Sequence, residues 1–209
     1  MDYTSIDWNN VALIVIDAQN DFIDGAMPVA GTTEILPTIT ELLDIFRTAG
    51  RPIVHAIRIY EPGSSDADPI RRADIEGGLQ VVAPNSHGAQ IPVQLTQGRE
   101  VPLDAAALLR GDLQQLTADE VIMYKPRWSA FYRTQLLDWL TNRGVTSVLV
   151  AGCNLPNCPR GTLFDATERD LRAAVATDAV SQATPDRLAD LTLIGVQHVG
   201  THDVSEHLR

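Results

Sequence analysis

Six apolar residues in a row, the run VALIVI at Val11–Ile16, are closed at once by a carboxylate, Asp17. A helix or a strand with one wet face would carry polar residues at a period of 3.6 or 2. A β-rich run with none is a strand buried on both faces. Such a strand needs covering layers above and below a mostly parallel sheet, and the rest of the chain supplies them by alternation. Residues 52–57, 120–124, 147–151 and 173–177 repeat the strand pattern, and 198–201 reads as a last short strand. Between them, residues 33–48 show helical spacing (Ile35, Ile39, Leu42, Leu43, Phe46) and stop at Gly50. Residues 134–142, 158–169 and 185–195 read as further helices. The expected fold is one three-layer α/β domain spanning 1–209, doubly wound around a mostly parallel sheet. Residues 61–103 break the alternation with Gly, Pro, Ser and charge, and hold one short helix near 68–77. So long an irregular stretch inside a compact domain is expected to be an insertion or lid.

The charge balance bounds the partners. A formal charge of −11 argues against nucleic acid and anionic membranes, both of which call for basic surface. The start, MDYTSIDWNN, is polar and acidic, unlike an export signal, so the expected compartment is the cytoplasm. There, Cys153 and Cys158 are expected to be free thiols.

Ligands of an open parallel sheet bind at the C-terminal ends of its strands. Three chemically loaded residues fall there: Asp17, Lys125 and, after the Gly152 turn, Cys158. Lys125 is the single lysine against fifteen arginines. Lysine differs from arginine in having a pKa that shifts and a proton that can move. Cys158 precedes Pro159, a residue favoured at the start of a helix, where the dipole and free N–H groups favour a thiolate. Taken singly, each feature has a plain structural reading: a cap, compositional chance, a packed thiol. Cys153, continuing its apolar strand, fits the packed thiol better. Together they suggest an activated nucleophile beside a general base.

The segments ALIVIDAQNDF (12–22), YKPRWSAFYRTQL (124–136) and VLVAGCNLPNCPRGTLFDA (148–166), with Asp178-Ala179 beyond them, resemble the isochorismatase-like cysteine hydrolases. That family includes nicotinamidases, N-carbamoylsarcosine amidohydrolases and ureido-amide hydrolases. The resemblance implies a six-stranded parallel sheet and a catalytic set of Asp17, Lys125 and Cys158. It further implies an acyl- or carbamoyl-Cys158 intermediate, an oxyanion hole from the amides of Asn154 and Cys158, and a cis bond at Cys153–Asn154. Leu155 and Pro159 depart from the usual family residues, Thr and an aliphatic. The Asp-x-His metal motif of nicotinamidases is replaced by His55-Ala56-Ile57-Arg58, so no metal and no cofactor are expected. His55 and His87 are read as structural or pocket-lining. Relatives of this type are usually oligomers, so a homo-oligomer, dimer or tetramer, is expected, in which a neighbouring subunit could complete the pocket.

The cysteine favours amide chemistry over the vinyl-ether hydrolysis of isochorismatases proper. Arg58, Arg71, Arg72 and Arg160 are candidates to meet a carboxylate or a urea-like carbonyl. Phe22, Tyr60, Trp128 and Phe131 are candidate pocket walls, and Asn157 and Asn154 candidates to orient an amide. The implied substrate is a small amide, ureido or carbamoyl compound: biuret- or triuret-like, or an N-carbamoyl amino acid. Aromatic amide hydrolysis, a non-catalytic binding module on the same fold, and a thiol redox role for Cys153 and Cys158 stay as alternatives. The last lacks the Cys-x-x-Cys spacing, and no Gly-x-Gly-x-x-Gly supports dinucleotide binding.

Overall fold

A computed structural model describes residues 2–208 of the chain. In chain order it contains β1 (Val11–Ile16), α1 (Asn20–Ile23), α2 (Thr32–Thr48), β2 (Ile53–Ile57), α3 (Pro69–Glu76), α4 (Ala105–Leu109), β3 (Gln114–Thr117), β4 (Glu120–Tyr124) and α5 (Leu136–Thr141). Then follow β5 (Ser147–Gly152), α6 (Cys158–Thr167), β6 (Arg172–Val180), α7 (Pro185–Thr192), β7 (Gln197–Val199) and α8 (Thr201–His207). The sheet order is β3-β4-β2-β1-β5-β6-β7. Every pairing is parallel except that of β3 with β4.

The opening run occupies the centre of this sheet, between β2 and β5, and all six of its residues are buried. Its side chains divide by the period of two. Val11, Leu13 and Val15 join the core beneath α2, which contributes Leu36, Ile39, Leu42, Leu43 and Phe46. Ala12, Ile14 and Ile16 join the opposite core, filled by Leu136, Trp139 and Leu140 of α5 and by Leu163 and Ala166 of α6. The doubly wound arrangement follows from that division. The chain leaves β1 towards β2 and β4, then returns across the sheet to β5. The reversal places the switch point, and with it the natural crevice, between the C-terminal ends of β1 and β5.

The sheet has seven strands where six were expected. The extra one, β3, is an edge strand whose residues are alternately half-buried and exposed, and its polar sequence QQLT carries no apolar run to announce it. The expected strand at 198–201 ends at Val199, and Thr201 instead opens α8. The Asp178 carboxylate accepts hydrogen bonds from the Thr201 backbone N–H and hydroxyl, which ends the strand and starts the helix. Within the 61–103 stretch only α3 and a 3-10 turn at Val93–Thr96 are regular. It is pinned to the body by Asp21, whose carboxylate accepts the backbone N–H of Val82 at 2.6 Å and of Ala26 at 2.9 Å. Among the described residues no helix is long and apolar enough to cross a membrane.

Candidate active site

At the end of β1 the backbone of Asp17 turns into the left-handed region, φ 50°, which costs an aspartate less than a β-branched residue. Its N–H donates to the Ala56 carbonyl at 2.9 Å, tying it to β2. Oδ2 accepts a hydrogen bond from Lys125 Nζ at 2.8 Å, while Oδ1 is buried with no hydrogen-bond partner. Lys125 follows β4, donates its own N–H to the Ile57 carbonyl at 2.9 Å and is completely buried. The ammonium and the carboxylate are each other's buried partners, and removing either would leave the other without one at a large penalty.

The thiol is delivered by the turn after β5. Gly152 ends that strand at φ 109°, and a Cβ there would lie 2.1 Å from the Ile16 carbonyl oxygen, so only glycine lets β5 approach β1 this closely. The Cys153–Asn154 peptide is cis. Cys158 is the first residue of α6, with Asn157 as N-cap. Neither the Asn154 nor the Cys158 backbone N–H donates to another group among the described residues. The helix start was expected to favour a thiolate. Instead, burial and then the negative charge of Asp17 push the Cys158 thiol up to about 12, and Lys125 offsets only part of this. The resting pair is therefore a neutral thiol facing a carboxylate. Burial likewise pushes the Cys153 thiol up, to about 11, as befits a thiol packed in the core.

Asp17 and Cys158 share a small cavity of about 30 Å³ with Phe22, Arg58, Tyr60 and Arg71. Trp128, Asn154 and Asn157 line it too, and the sequence reading missed two of its walls, Val29 and Cys153. Arg58 is buried and held by three partners. Its guanidinium donates to the Lys125 carbonyl at 2.9 Å and the Tyr60 hydroxyl at 2.7 Å, and pairs with Asp68. Burial works against that charge, but Tyr60 and Asp68 outweigh it and hold the guanidinium above its ordinary pKa. The buried Gln19 side chain bridges the same region, accepting from the Arg58 N–H and donating to the Arg58 and Ala89 carbonyls, each at 2.8 Å. Nothing in the sequence singled out Gln19. Asp68 was readable only as the residue before Pro69. The Asn157 side chain makes no hydrogen bond among the described residues, whereas Asn154 Nδ2 donates to Gln182 at 3.2 Å.

Three proposed contacts are not brought to the cavity. Arg160 lies two residues beyond Cys158 on α6, about 200° around the helix, and points outward, over Phe164 and 3.9 Å from Asp190. Arg72, one residue from Arg71, turns back to the Ala67 carbonyl at 3.1 Å. Phe131 is buried in the α5 and α6 core beneath Arg169. The histidines stand apart from the cavity as well. His55 Nε2 donates to Glu120 at 2.7 Å, and His87 lies against Asn20. Among the described residues no cluster of three or more His, Cys, Asp or Glu is arranged around a common point.

The family model described as isochorismatase domain matches residues 11–202. A probable inactive nicotinamidase from Arabidopsis thaliana is 32% identical over 208 residues, which cover 96% of this chain and 97% of that protein. A ureidoacrylate amidohydrolase from Methylobacterium radiotolerans is 28% identical, covering 88% of this chain and 72% of its own. Among solved structures, an isochorismatase family protein from Desulfovibrio vulgaris superposes with a TM-score of 0.80 at 31% identity, covering 95% of this chain and 98% of that one.

Proposed function

The chain belongs to the isochorismatase family, and from that premise we propose that it is a metal-independent cysteine amidohydrolase. It cleaves the C–N bond of a small amide, ureido or carbamoyl substrate. One observation carries the reading: a thiol and a buried carboxylate with one unpartnered oxygen line one small cavity, and the other carboxylate oxygen accepts from a buried lysine. The relatives named as amidohydrolases support the reaction class, and the ureidoacrylate enzyme supports a ureido substrate. The probable inactive relative in Arabidopsis makes direct assay of this chain necessary.

In the reaction, Asp17 Oδ1 takes the thiol proton as Cys158 Sγ attacks the carbonyl carbon. Lys125 holds the carboxylate in place through its hydrogen bond to Oδ2. The proton moves during attack because the resting thiol is neutral at physiological pH. The carbonyl π electrons move onto oxygen, which accepts hydrogen bonds from the otherwise unpaired N–H groups of Asn154 and Cys158. Each such donor contributes about 3 kcal/mol in the transition state. Asp17 then returns the proton to the leaving nitrogen, the C–N bond breaks, and an amine or ammonia departs. Water attacks the remaining thioester or thiocarbamate while Asp17 accepts its proton. Sulfur leaves, is reprotonated, and the acid is released. Asn157, which lines the cavity, is the proposed contact for the carbonyl or amino group of a ureido substrate.

An amide and ureide panel tests the proposal, with ammonia release measured for the wild type beside Cys158→Ser. Turnover of ureides by the wild type, with a loss of at least about a thousandfold in the variant, is the expected outcome. Turnover confined to aromatic amides would remove the ureido assignment. Absence of any turnover would turn the reading towards a binding module.

A further inference from the structure

β1 leaves its ladder with β2 at Asp17, and a side chain continues it. The two strands pair in register from Leu13 opposite Ile53 to Ile16 opposite Ala56. The N–H groups of Leu13 and Asp17 donate to the Pro52 and Ala56 carbonyls, each at 2.9 Å. The next step of such a parallel ladder would pair the Arg58 N–H with the Asp17 carbonyl, and the Arg58 carbonyl with the Gln19 N–H. Neither bond forms. Asp17 turns into the left-handed region at φ 50°, and its carbonyl accepts the Gln19 N–H instead, at 2.9 Å. Both missing places are taken by the Gln19 carboxamide. Its Oε1 accepts the Arg58 N–H and its Nε2 donates to the Arg58 carbonyl, each at 2.8 Å. The second Nε2 hydrogen goes to the Ala89 carbonyl, also at 2.8 Å. Gln19 is completely buried, and its side chain does not cap α1, which it precedes, so the amide serves this bridge alone. A group fixed at three points, two residues after Asp17, sets where the backbone of Asp17 lies.

We propose that Gln19 is a positioning residue for the proton transfer between Cys158 and Asp17. Its carboxamide stands in for the rungs that Asp17 gives up in turning its carboxylate towards the thiol. This rests on the amidohydrolase reading and adds to it the group that aims the base. A misplacement of about 1 Å is enough to slow such a step about a hundredfold.

The first test needs no variant. Amide hydrogen exchange in the wild type should find the Arg58 N–H as slow as that of Asp17, the last backbone rung. An Arg58 N–H that exchanges like an exposed loop amide overturns the proposal. The second test is Gln19→Met, of similar length and without the amide, beside Leu42→Ala, a core truncation on α2 outside the cavity that controls for lost stability. Gln19→Met should lower kcat by roughly 10- to 100-fold with KM changed by less than about threefold, whereas Leu42→Ala should leave kcat unchanged. Iodoacetamide alkylation of Cys158 at pH 9 should accelerate by about threefold in Gln19→Met as the carboxylate moves off the thiol. Added to Asp17→Asn, Gln19→Met should accelerate it no further, because it acts through that carboxylate. Acceleration that adds in full to that of Asp17→Asn, or that Leu42→Ala reproduces, reports a loosened fold and overturns the proposal. Protected Arg58 and non-additive alkylation, with no amide or ureide hydrolysed, support the role of Gln19 and overturn the amidohydrolase reading instead.

Discussion

At the scale of single residues, Asp17 carries two opposed effects that one substitution separates. After burial, its charge is what holds the Cys158 thiol protonated, and its free oxygen is the proposed acceptor of that proton. Asp17→Asn removes both. The thiol should become more acidic, so alkylation by iodoacetamide at pH 9 should accelerate, while hydrolysis should fall by roughly 10²–10⁴-fold for want of a base. Slower alkylation in the variant would mean that something other than Asp17 sets the thiol's acidity. The wild-type alkylation rate should climb through the alkaline range without levelling near neutrality, because the thiol's pKa lies near 12. The variant also leaves Lys125 as an unpaired buried cation, which should cost about 3–5 kcal/mol of stability in chemical denaturation.

At the scale of elements, the site depends on how closely two strands approach. β1 and β5 are neighbours in register, Ile16 opposite Gly152, and the residues following them supply the base and the nucleophile. Gly152→Ala puts a methyl group 2.1 Å from the Ile16 carbonyl oxygen at φ 109°. It should destabilise the fold by at least about 3 kcal/mol and displace the Cys158 turn, read as a lower urea midpoint together with an altered rate of Cys158 alkylation. Gly144→Ala is the matched control, since it also has positive φ, 68°, but nothing within 4 Å of the added carbon. It should cost only about 1 kcal/mol. Equal losses in the two variants would show that strand approach is not what Gly152 serves. Elements also explain why neighbours in sequence were poor guides to contacts: Arg71 and Arg72 are adjacent on α3, yet only the first reaches the cavity.

At the scale of the whole molecule, Glu120 ties distant parts together at the sheet edge opposite the cavity. It opens β4, accepts a forked pair from Arg47 of α2 at 2.7 and 3.0 Å, and meets His55 of β2 at 2.7 Å. Arg47 also donates to the Leu95 carbonyl at 2.7 Å, so one carboxylate and one guanidinium connect a helix, two strands and the 61–103 stretch. Burial works against the Glu120 charge, but His55 and Arg47 outweigh it and lower the pKa from an ordinary 4.5 to about 2. A pKa lowered on folding stabilises the protein fully above about 4.5, and that contribution is lost as pH falls towards 2. The urea midpoint should therefore drop across this window in the wild type and change less in Glu120→Gln, which starts lower at neutral pH. A parallel pH dependence in the two proteins would place the acid sensitivity elsewhere.

The sequence by itself determined the α/β class, the buried central strand and the convergence of Asp17, Lys125 and Cys158 at one sheet edge. Those follow from apolar runs and from what ends them, both local in the chain. The resemblance of three segments supplied the expected chemistry. The tertiary structure alone decided how each arginine is held. Arg58 and Arg71 look equivalent in sequence, but only packing gives Arg58 its partners in Asp68, Tyr60 and the Lys125 carbonyl. It also decided that the helix start does not make Cys158 a resting thiolate, because burial beside Asp17 outweighs the favourable terminus. Edge strand β3 and helix α8 were hidden for a related reason. Each is held by pairing or capping from outside its own span rather than by an apolar pattern within it.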